Sequence, residues 1–265
     1  MKDTEVIFMA MRICLEEDYV LKTLTKSKKN DLAVVDIDNI DPKYVLEAVG
    51  RGVHVYGYLN PCALEKERDY YDEFKDLRIA RYSGWPGEYW VDVTDERWQK
   101  HLISEAERFK KAGAKGLYFD NTDLYYQCVV GFRENKTEML RPAPRAWSVY
   151  ESLLKVMKEL VYGLDLVVMP NGGDTFVRKL ILNGHRDLVK TVIQESVLFS
   201  DNKRVSKEDK IYFTNYLDWC KEKGIYIRGI EYCSKLRYKT EAKAYYKKHG
   251  WNGLYISPQS DLRGN

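Results

Sequence analysis

Carboxylate and amide side chains gather at the end of a short apolar segment in the middle of this sequence, KGLYFDNTD at residues 115–123. Leu117 and Phe119 alternate there with polar residues, which is the period of a strand. Asp120 and Asn121 follow where that strand would end. A carboxylate in this position is either a catalytic group or a cap for the next loop, and the segment alone leaves both interpretations open.

Polar residues end five further apolar segments in the same way. They are Asp36 and Asp38, Tyr58 and Asn60, Asn171, Gln194 and Glu195, and Glu231 and Tyr232, with Asp123 just beyond Asp120. Two of them have a structural alternative: Asp38 as a loop cap, and Asn171 as a support for the Gly-Gly turn that follows it. The recurrence of acids, amides and tyrosines at these ends favours chemistry over capping.

Motifs for other kinds of catalysis are missing from the sequence. The four histidines lie early in a strand segment or in helical segments, and neither HExxH nor a Ser–His arrangement is present. Five cysteines without a CxxC pair favour reduced thiols over disulfides or zinc. We therefore expect no metal and no cofactor. Paired carboxylates with aromatic residues are typical of glycoside hydrolysis, in which one acid attacks or activates water and the other donates a proton.

Eight apolar strand segments alternate with helical patterns and would position these residues. The strands are predicted at residues 6–11, 32–38, 53–60, 116–121, 164–171, 191–195, 226–232 and 253–257. Such repeats predict an α/β fold with a parallel sheet and, when closed, a single (β/α)8 TIM barrel whose last helix is short or missing. An open doubly wound sheet is the alternative, but the chain after Met11 lacks the Gly-rich phosphate loop of that fold. In a barrel, active sites lie at the C-terminal strand ends.

The 265 residues fit one barrel domain over residues 1–265, with a long insert at about residues 61–95 after the third strand. The insert contains GWPGEYWVD at residues 84–92, and its Pro-Gly turn suits a fixed loop. Trp85 and Trp90 are predicted to lie over the barrel mouth and to stack on a sugar. Packing against outer helices is the alternative for both indoles.

Charge and hydropathy exclude several partners. The net charge is +3 with acids and bases well mixed, so the sequence does not indicate nucleic-acid binding. No segment has the length of a membrane span, and the N-terminus lacks the pattern of an export signal, which predicts a cytoplasmic protein. The sequence leaves the oligomeric state open.

Four segments resemble the glycoside hydrolase family of endo-α-1,4-polygalactosaminidases. They are VVDID at 34–38, GYLN at 57–60, GWPGEYWVDV at 84–93 and GLYFDNTD at 116–123. The resemblance implies a (β/α)8 barrel that acts on an amino-sugar polymer, with functional carboxylates on strands four and six, here Asp120 and Glu195. The chain departs from such relatives just before Asn171 and just after Asn60, so the resemblance carries the reaction type further than the sugar specificity. Many of these relatives are exported.

The leading hypothesis is a retaining, endo-acting glycosidase for an α-linked glycan that contains galactosamine. Asp120 is assigned as the nucleophile and Glu195 as the acid/base. Strands four and six are separated by one strand, so the two carboxylates can reach the ~5–5.5 Å separation of retaining enzymes, although the inverting range of ~6.5–9.5 Å stays open. Another acid, Glu231 or Asp36, is the alternative partner for Asp120.

The substrate itself is expected to contact a wider set of side chains. The set consists of Asp36, Asp38, Tyr58, Asn60, Trp85, Asn121, Asp123, Asn171, Glu231 and Tyr232. The four acids in this set predict an acidic mouth that attracts a cationic sugar. A non-catalytic carbohydrate-binding barrel is the second hypothesis. A lyase or aldolase is the third, and it lacks the strand-end Lys or metal ligands that such enzymes use.

Overall fold

The computed structural model describes residues 10–15, 17–83, 85–132, 138–258 and 262. The strands are β1 (Met11–Cys14), β2 (Leu32–Val35), β3 (His54–Leu59), β4 (Ala63–Glu65), β5 (Arg78–Arg81), β6 (Glu88–Val91), β7 (Gly116–Phe119), β8 (Val167–Pro170), β9 (Thr191–Glu195), β10 (Phe199–Ser200), β11 (Lys203–Arg204), β12 (Tyr226–Tyr232) and β13 (Gly253–Ser257). The helices are α1 (Glu17–Lys26), α2 (Pro42–Gly50), α3 (Tyr71–Phe74), α4 (Glu96–Lys111), α5 (Leu124–Val130), α6 (Ala146–Lys158), α7 (Asp174–Leu182), α8 (Lys207–Glu222) and α9 (Leu236–His249).

The predicted alternation of strands and helices is present. The eight predicted strands correspond to β1, β2, β3, β7, β8, β9, β12 and β13, and a helix follows each of the first seven. The chain groups into two compact units, one built from the described parts of Met1–Tyr58, Arg108–Tyr118 and Lys190–Asn265 and the other from those of Leu59–Glu107 and Phe119–Val189. The prediction of one domain over residues 1–265 stays a prediction.

The first unit contains two sets of parallel strands. β1, β2 and β3 pair in that order, with Met11 opposite Leu32 and Leu32 opposite His54. β9, β12 and β13 form the other set, in which Glu195 lies opposite Ile230. The Tyr255 hydroxyl of β13 donates to the Ile13 carbonyl of β1 at 3.2 Å. All four residues of β2 are buried, and all four are apolar, as is usual for a parallel strand that is covered on both faces.

The second unit contains the insert, which forms a small sheet of its own. β4, β6 and β5 pair antiparallel in that order, with Ala63 opposite Trp90 and Arg81 opposite Tyr89. The position of the insert was predicted, but its sheet was not, because its strands are short and mix aromatic with charged residues. Elsewhere in this unit, the Asn171 N–H donates to the Phe119 carbonyl at 2.9 Å, which places the end of β8 beside the end of β7.

Several local predictions are confirmed and others are corrected. β9, β12 and β13 have the predicted bounds. Asp41 caps α2 by accepting the Lys43 N–H at 2.9 Å, and Pro42 is the first helical residue; both residue types are favoured at these positions. The predicted short or missing last helix falls on residues that are almost all outside the described ranges.

The first strand lies later in the chain than predicted. Most of the predicted range 6–11 is outside the described residues, and the described strand runs from Met11 to Cys14. The prediction ended the strand before Arg12, because this residue interrupts the apolar pattern. The Arg12 guanidinium donates to Asp31 at 3.2 Å, so the charged residue fits within the strand. Among the described residues, none of the helices is long and apolar enough to cross a membrane.

Candidate active site

Glu195 ends β9, and two tyrosines hold its carboxylate within the first unit. The Tyr118 hydroxyl donates to Oε1 at 2.9 Å and the Tyr232 hydroxyl donates to Oε2 at 2.6 Å. Tyr118 is 1% exposed and Tyr232 is 3% exposed, whereas Glu195 itself is half-buried. Because each oxygen accepts from a buried, fixed phenol, the plane of the Glu195 carboxylate is set by the surrounding strands.

Tyr118 is a site residue that sequence reasoning missed. It lies on β7, two residues before Asp120, and the alternation along this segment was noticed without a role for the tyrosine. Side chains two residues apart in a strand share a face, so this spacing was the available signal. Tyr58 of β3 stacks on Tyr118, with ring centroids 6.1 Å apart. The stack fixes the phenol that reaches Glu195.

Asp120 follows β7, and its environment belongs to the second unit. Its Oδ1 accepts the Asn121 N–H at 3.0 Å and the Asn171 Nδ2 at 2.9 Å. The Asn121 Oδ1 in turn accepts from the Tyr82 hydroxyl at 3.1 Å. Two donors on one oxygen orient the carboxylate. Asn121 and Asn171 therefore position Asp120, and their predicted contact with substrate stays a prediction.

The residue after each candidate carboxylate has a left-handed backbone. Asn121 has φ +57° and Ser196 has φ +53°. Left-handed backbone is uncommon for residues other than glycine, and it is concentrated at functional sites where the surrounding structure imposes it. At both places the chain turns sharply at the residue directly after the carboxylate.

Asp123 supports a turn. Its Oδ1 accepts the Gly173 N–H at 3.1 Å. Gly173 has φ +62°, and a Cβ there would lie 1.8 Å from the Thr122 hydroxyl oxygen, so only glycine fits. Asp123 was predicted to bind substrate, but this contact gives it a structural role in holding the turn after Asn171.

Three further acids that were predicted to bind substrate have structural partners in the first unit. Asp36 is 4% exposed, and its Oδ1 accepts the Asp38 N–H at 3.1 Å. Asp38 pairs with Arg108. Glu231 is fully buried and accepts the N–H groups of Leu198 and Phe199. The predicted acidic mouth rested on these acids and on Asp123. Arg108 neutralises Asp38, but the N–H groups that Asp36 and Asp123 accept carry no charge, so the acidic mouth stays a prediction.

Asn60 is also occupied within the protein. Its Nδ2 donates to Glu65 Oε1 at 3.1 Å, and its Oδ1 accepts the Ala63 N–H at 2.9 Å. Glu65 pairs in turn with Arg68 at 2.5 Å. These hydrogen bonds hold the start of the insert. Asn60 is 6% exposed and so has little surface for contact with a sugar.

The two tryptophans of the insert differ in exposure. Trp85 is 47% exposed, whereas Trp90 is 5% exposed and its ring lies 4.6 Å from that of Tyr82. The exposed face of Trp85 is available for stacking. Trp90 packs against Tyr82 inside the second unit and has little exposed surface for a sugar.

Glu88 is a second site candidate that sequence reasoning missed. It begins β6 and lies opposite Glu65 in the antiparallel register. Among the described residues, none donates a hydrogen bond to its buried Oε2. Burial, together with the negative charges of Glu65 and Asp120, raises the pKa of Glu88 to about 8. A carboxyl group in the insert is therefore protonated at neutral pH and lies in the electrostatic field of Asp120.

Within the described ranges, no three His, Cys, Asp or Glu side chains come together as a metal site. The five cysteines are all free thiols. Each unit presents one oriented carboxylate held by neutral donors: Glu195 at the end of β9 in the first, and Asp120 directly after β7 in the second.

Comparison with known families decides which chemistry this is. The model of Glycoside-hydrolase family GH114 matches residues 14–257 of the chain. This chain belongs to family GH114. The match includes both candidate carboxylates and the insert between them, and it makes the protein a glycosidase. A non-catalytic binding barrel is therefore not favoured. Comparison with curated protein sequences gives no match.

Solved structures of low sequence identity share the fold of this GH114 member. The glycoside hydrolase domain of PelA from Pseudomonas aeruginosa is 18% identical with a TM-score of 0.75, and the alignment covers 97% of this chain and 98% of that one. Ega3 of Aspergillus fumigatus, in complex with galactosamine, is 14% identical with a TM-score of 0.71 and coverages of 97% and 93%.

A third structure, an α-galactosidase from Thermus thermophilus in complex with stachyose, is 10% identical with a TM-score of 0.63 and coverages of 95% and 61%. At these identities the likeness shows the fold, and it confirms the predicted α/β fold of the (β/α)8-barrel class.

Proposed function

We propose that this GH114 glycosidase cleaves α-linked, galactosamine-containing polysaccharide at internal bonds, with Asp120 and Glu195 as its catalytic residues. The observation that carries the proposal is the pair of strand-end carboxylates, each oriented by neutral donors, in a member of a glycoside hydrolase family. The structure of the Ega3 complex with galactosamine supports the choice of sugar.

The two carboxylates have different roles in the proposed mechanism. Asp120 attacks the anomeric carbon, and Asn121 and Asn171 keep its carboxylate charged and oriented. Glu195 gives its proton to the glycosidic oxygen as the bond breaks. In the second step Glu195 takes a proton from water, which displaces Asp120 from the sugar. Two displacements at the same carbon retain the anomeric configuration.

Tyr118 and Tyr232 suit the change of protonation at Glu195. A phenol can donate to the carboxylate or accept from the carboxylic acid by rotating its hydroxyl group. Both contacts can therefore persist while Glu195 gains and loses its proton. We propose that Tyr232 positions the Glu195 carboxylate. Tyr58 supports Tyr118 by stacking on its ring.

Trp85 is the best remaining candidate for a sugar platform, because it is the exposed indole of the insert. Flat aromatic rings offer a large apolar contact to a sugar face at low cost in side-chain entropy. The substrate partner that we propose is therefore a polysaccharide, with Trp85 as a candidate aromatic contact for it.

The experiment is a panel of glycans assayed for new reducing ends, with Glu195→Gln as the blank. We expect release from α-1,4-linked galactosamine polymer by the wild-type protein only. Product sizing then separates the modes of action, because internal cleavage yields a ladder of oligomers from the first minutes and terminal cleavage yields only monosaccharide. Equal release by the wild type and Glu195→Gln would contradict the proposal.

A further inference from the structure

Glu231 is a buried carboxylate that the catalytic mechanism does not use. It lies on β12, is fully buried, and accepts four hydrogen-bond contacts from three donors. The Leu198 N–H reaches Oε1 at 3.2 Å and Oε2 at 3.1 Å. The Phe199 N–H reaches Oε2 at 2.8 Å, and the Tyr246 hydroxyl of α9 reaches Oε1 at 3.0 Å.

Two of these donors, the Leu198 and Phe199 N–H groups, belong to the turn that begins directly after Glu195. The Ser196 N–H still continues the strand ladder by donating to the Ile230 carbonyl at 2.8 Å, but its φ of +53° then reverses the chain. Leu198 and Phe199 follow, both buried. Buried N–H groups require an acceptor, and Glu231 supplies one for both Leu198 and Phe199.

The protein makes room for this contact at the level of the backbone. A Cβ on Gly229 would lie 1.8 Å from the Tyr246 hydroxyl oxygen. Glycine at this position therefore lets Tyr246 approach β12 and reach Glu231 two residues further along. Phe199 is fixed separately by its stack on Tyr238, with ring centroids 4.4 Å apart.

Consecutive residues of β12 then act on Glu195 from opposite faces of the strand. Tyr232 holds the carboxylate of Glu195 itself at 2.6 Å. Glu231 holds the backbone three and four residues after Glu195. We propose that Glu231 is a positioning residue, which fixes the turn 196–199 and thereby the orientation of the Glu195 carboxylate. This inference rests on the proposed role of Glu195 as the acid/base.

We call the acceptance of the Leu198 and Phe199 N–H groups by Glu231 the clamp. Two substitutions of similar volume distinguish an effect of the clamp from an effect of simple packing. In Glu231→Gln, the amide oxygen can still accept the Leu198 and Phe199 N–H groups while its NH2 donates to Tyr246, whose hydroxyl can accept. Glu231→Leu removes every acceptor. We expect kcat of Glu231→Leu to fall at least tenfold with KM changed less than threefold, and Glu231→Gln to stay within threefold of wild type in both.

Asp218→Ala is the control for loss of stability elsewhere in the first unit. Asp218 accepts the Trp251 Nε1 at 2.9 Å and lies against His249 at 2.9 Å. Its removal should lower the melting temperature and leave kcat unchanged. If Asp218→Ala and Glu231→Leu lose kcat equally, or if Glu231→Leu keeps wild-type kcat, Glu231 is not a positioning residue.

Two readouts need no substrate and keep this inference separate from the proposed function. Hydrogen exchange at the Leu198 and Phe199 amides should be at least tenfold faster in Glu231→Leu than in Glu231→Gln. A crystal structure of Glu231→Leu should show Glu195 displaced from the Tyr232 hydroxyl. If the wild type cleaves no glycan, the proposed function fails, and these two measurements still decide the clamp: unchanged exchange with Glu195 in place would overturn it.

Discussion

At the scale of single residues, Glu195 is defined by its contacts with Tyr118 and Tyr232. Hydrogen bonds to charged groups contribute ~1.5–3 kcal/mol when they are well formed. The two phenols are partly redundant in orienting Glu195, because a carboxylate that loses one of these hydrogen bonds is still held through its other oxygen.

The first prediction concerns these phenols. Tyr118→Phe and Tyr232→Phe should each lower kcat about 5–20-fold, because each removes one hydrogen bond that orients Glu195. The double substitution should cost more than the product of the single effects, since the second loss frees the carboxylate. The measurement is steady-state kinetics on a galactosamine oligomer. Tyr226→Phe, at the opposite end of β12, is the control, and a loss as large as that of Tyr232→Phe would contradict the assignment.

At the scale of elements, the insert carries both an exposed aromatic and an unusual acid. Its three strands bring Glu88 opposite Glu65, and like charges at directly opposite positions destabilise an antiparallel pair. Burial and, to a lesser extent, this repulsion raise the pKa of Glu88 to about 8, so the group is protonated near neutral pH.

The second prediction follows from the sign of this shift. A carboxyl group with a folded pKa raised from 4.5 to about 8 contributes stability that is fully present below pH 4.5 and is lost as the pH rises through about 8. Glu88→Gln does not titrate. Its unfolding free energy should therefore match that of wild type near pH 5 and exceed it by about 1–3 kcal/mol at pH 9.

Urea denaturation from pH 5 to pH 9 measures this difference. Glu73→Gln, an exposed acid of α3 in the same insert, is the matched control and should differ from wild type by a nearly constant amount. A constant difference for Glu88→Gln as well would show that Glu88 is ionised in the folded protein throughout this range.

The third prediction concerns Trp85. If its exposed indole stacks on the substrate, Trp85→Ala should raise KM about 5–20-fold on long oligomers, in line with ~1–2 kcal/mol for an aromatic contact, with kcat nearly unchanged. Trp147→Ala is the control, because Trp147 is a similarly exposed indole at 57% but lies on α6. Equal effects of the two substitutions on KM would exclude a specific platform at Trp85.

Elements with a simple pattern were the ones that the sequence predicted best. β9 and β12 have apolar residues in unbroken or alternating runs between turn signals, and their bounds agree with the prediction. The insert sheet was not predicted because β4, β5 and β6 are three or four residues long, and their pairing depends on contacts distant in sequence.

The same limit applies to the site. Asp120 and Glu195 were proposed as site residues because strand ends are readable in a sequence. Glu231 has the same kind of position, yet it faces the Leu198 and Phe199 amides, and its role depends on a turn and a helix that no local pattern reveals. Strand-end position thus predicts which residues are near a barrel mouth but not which face they occupy.

At the scale of the whole molecule, the match to GH114 over residues 14–257 means that most of this chain serves one catalytic fold. The net charge of +3 gives no overall attraction to a cationic polymer, so recognition of the proposed galactosamine polymer must be local. Arg108 neutralises Asp38, Arg68 neutralises Glu65, and Glu88 is protonated near neutral pH, so these three acids add little negative charge.

The most direct test of the account is NMR of a purified α-1,4-galactosamine oligomer during hydrolysis by wild type, Asp120→Asn and Glu195→Gln. We expect the wild type to release the α anomer first, before mutarotation, and each variant to turn over at least about 100-fold more slowly. A folded Glu195→Gln variant with near-normal turnover would contradict the catalytic assignment. The β anomer as first product would contradict retention, and no cleavage by the wild type would contradict the proposed substrate.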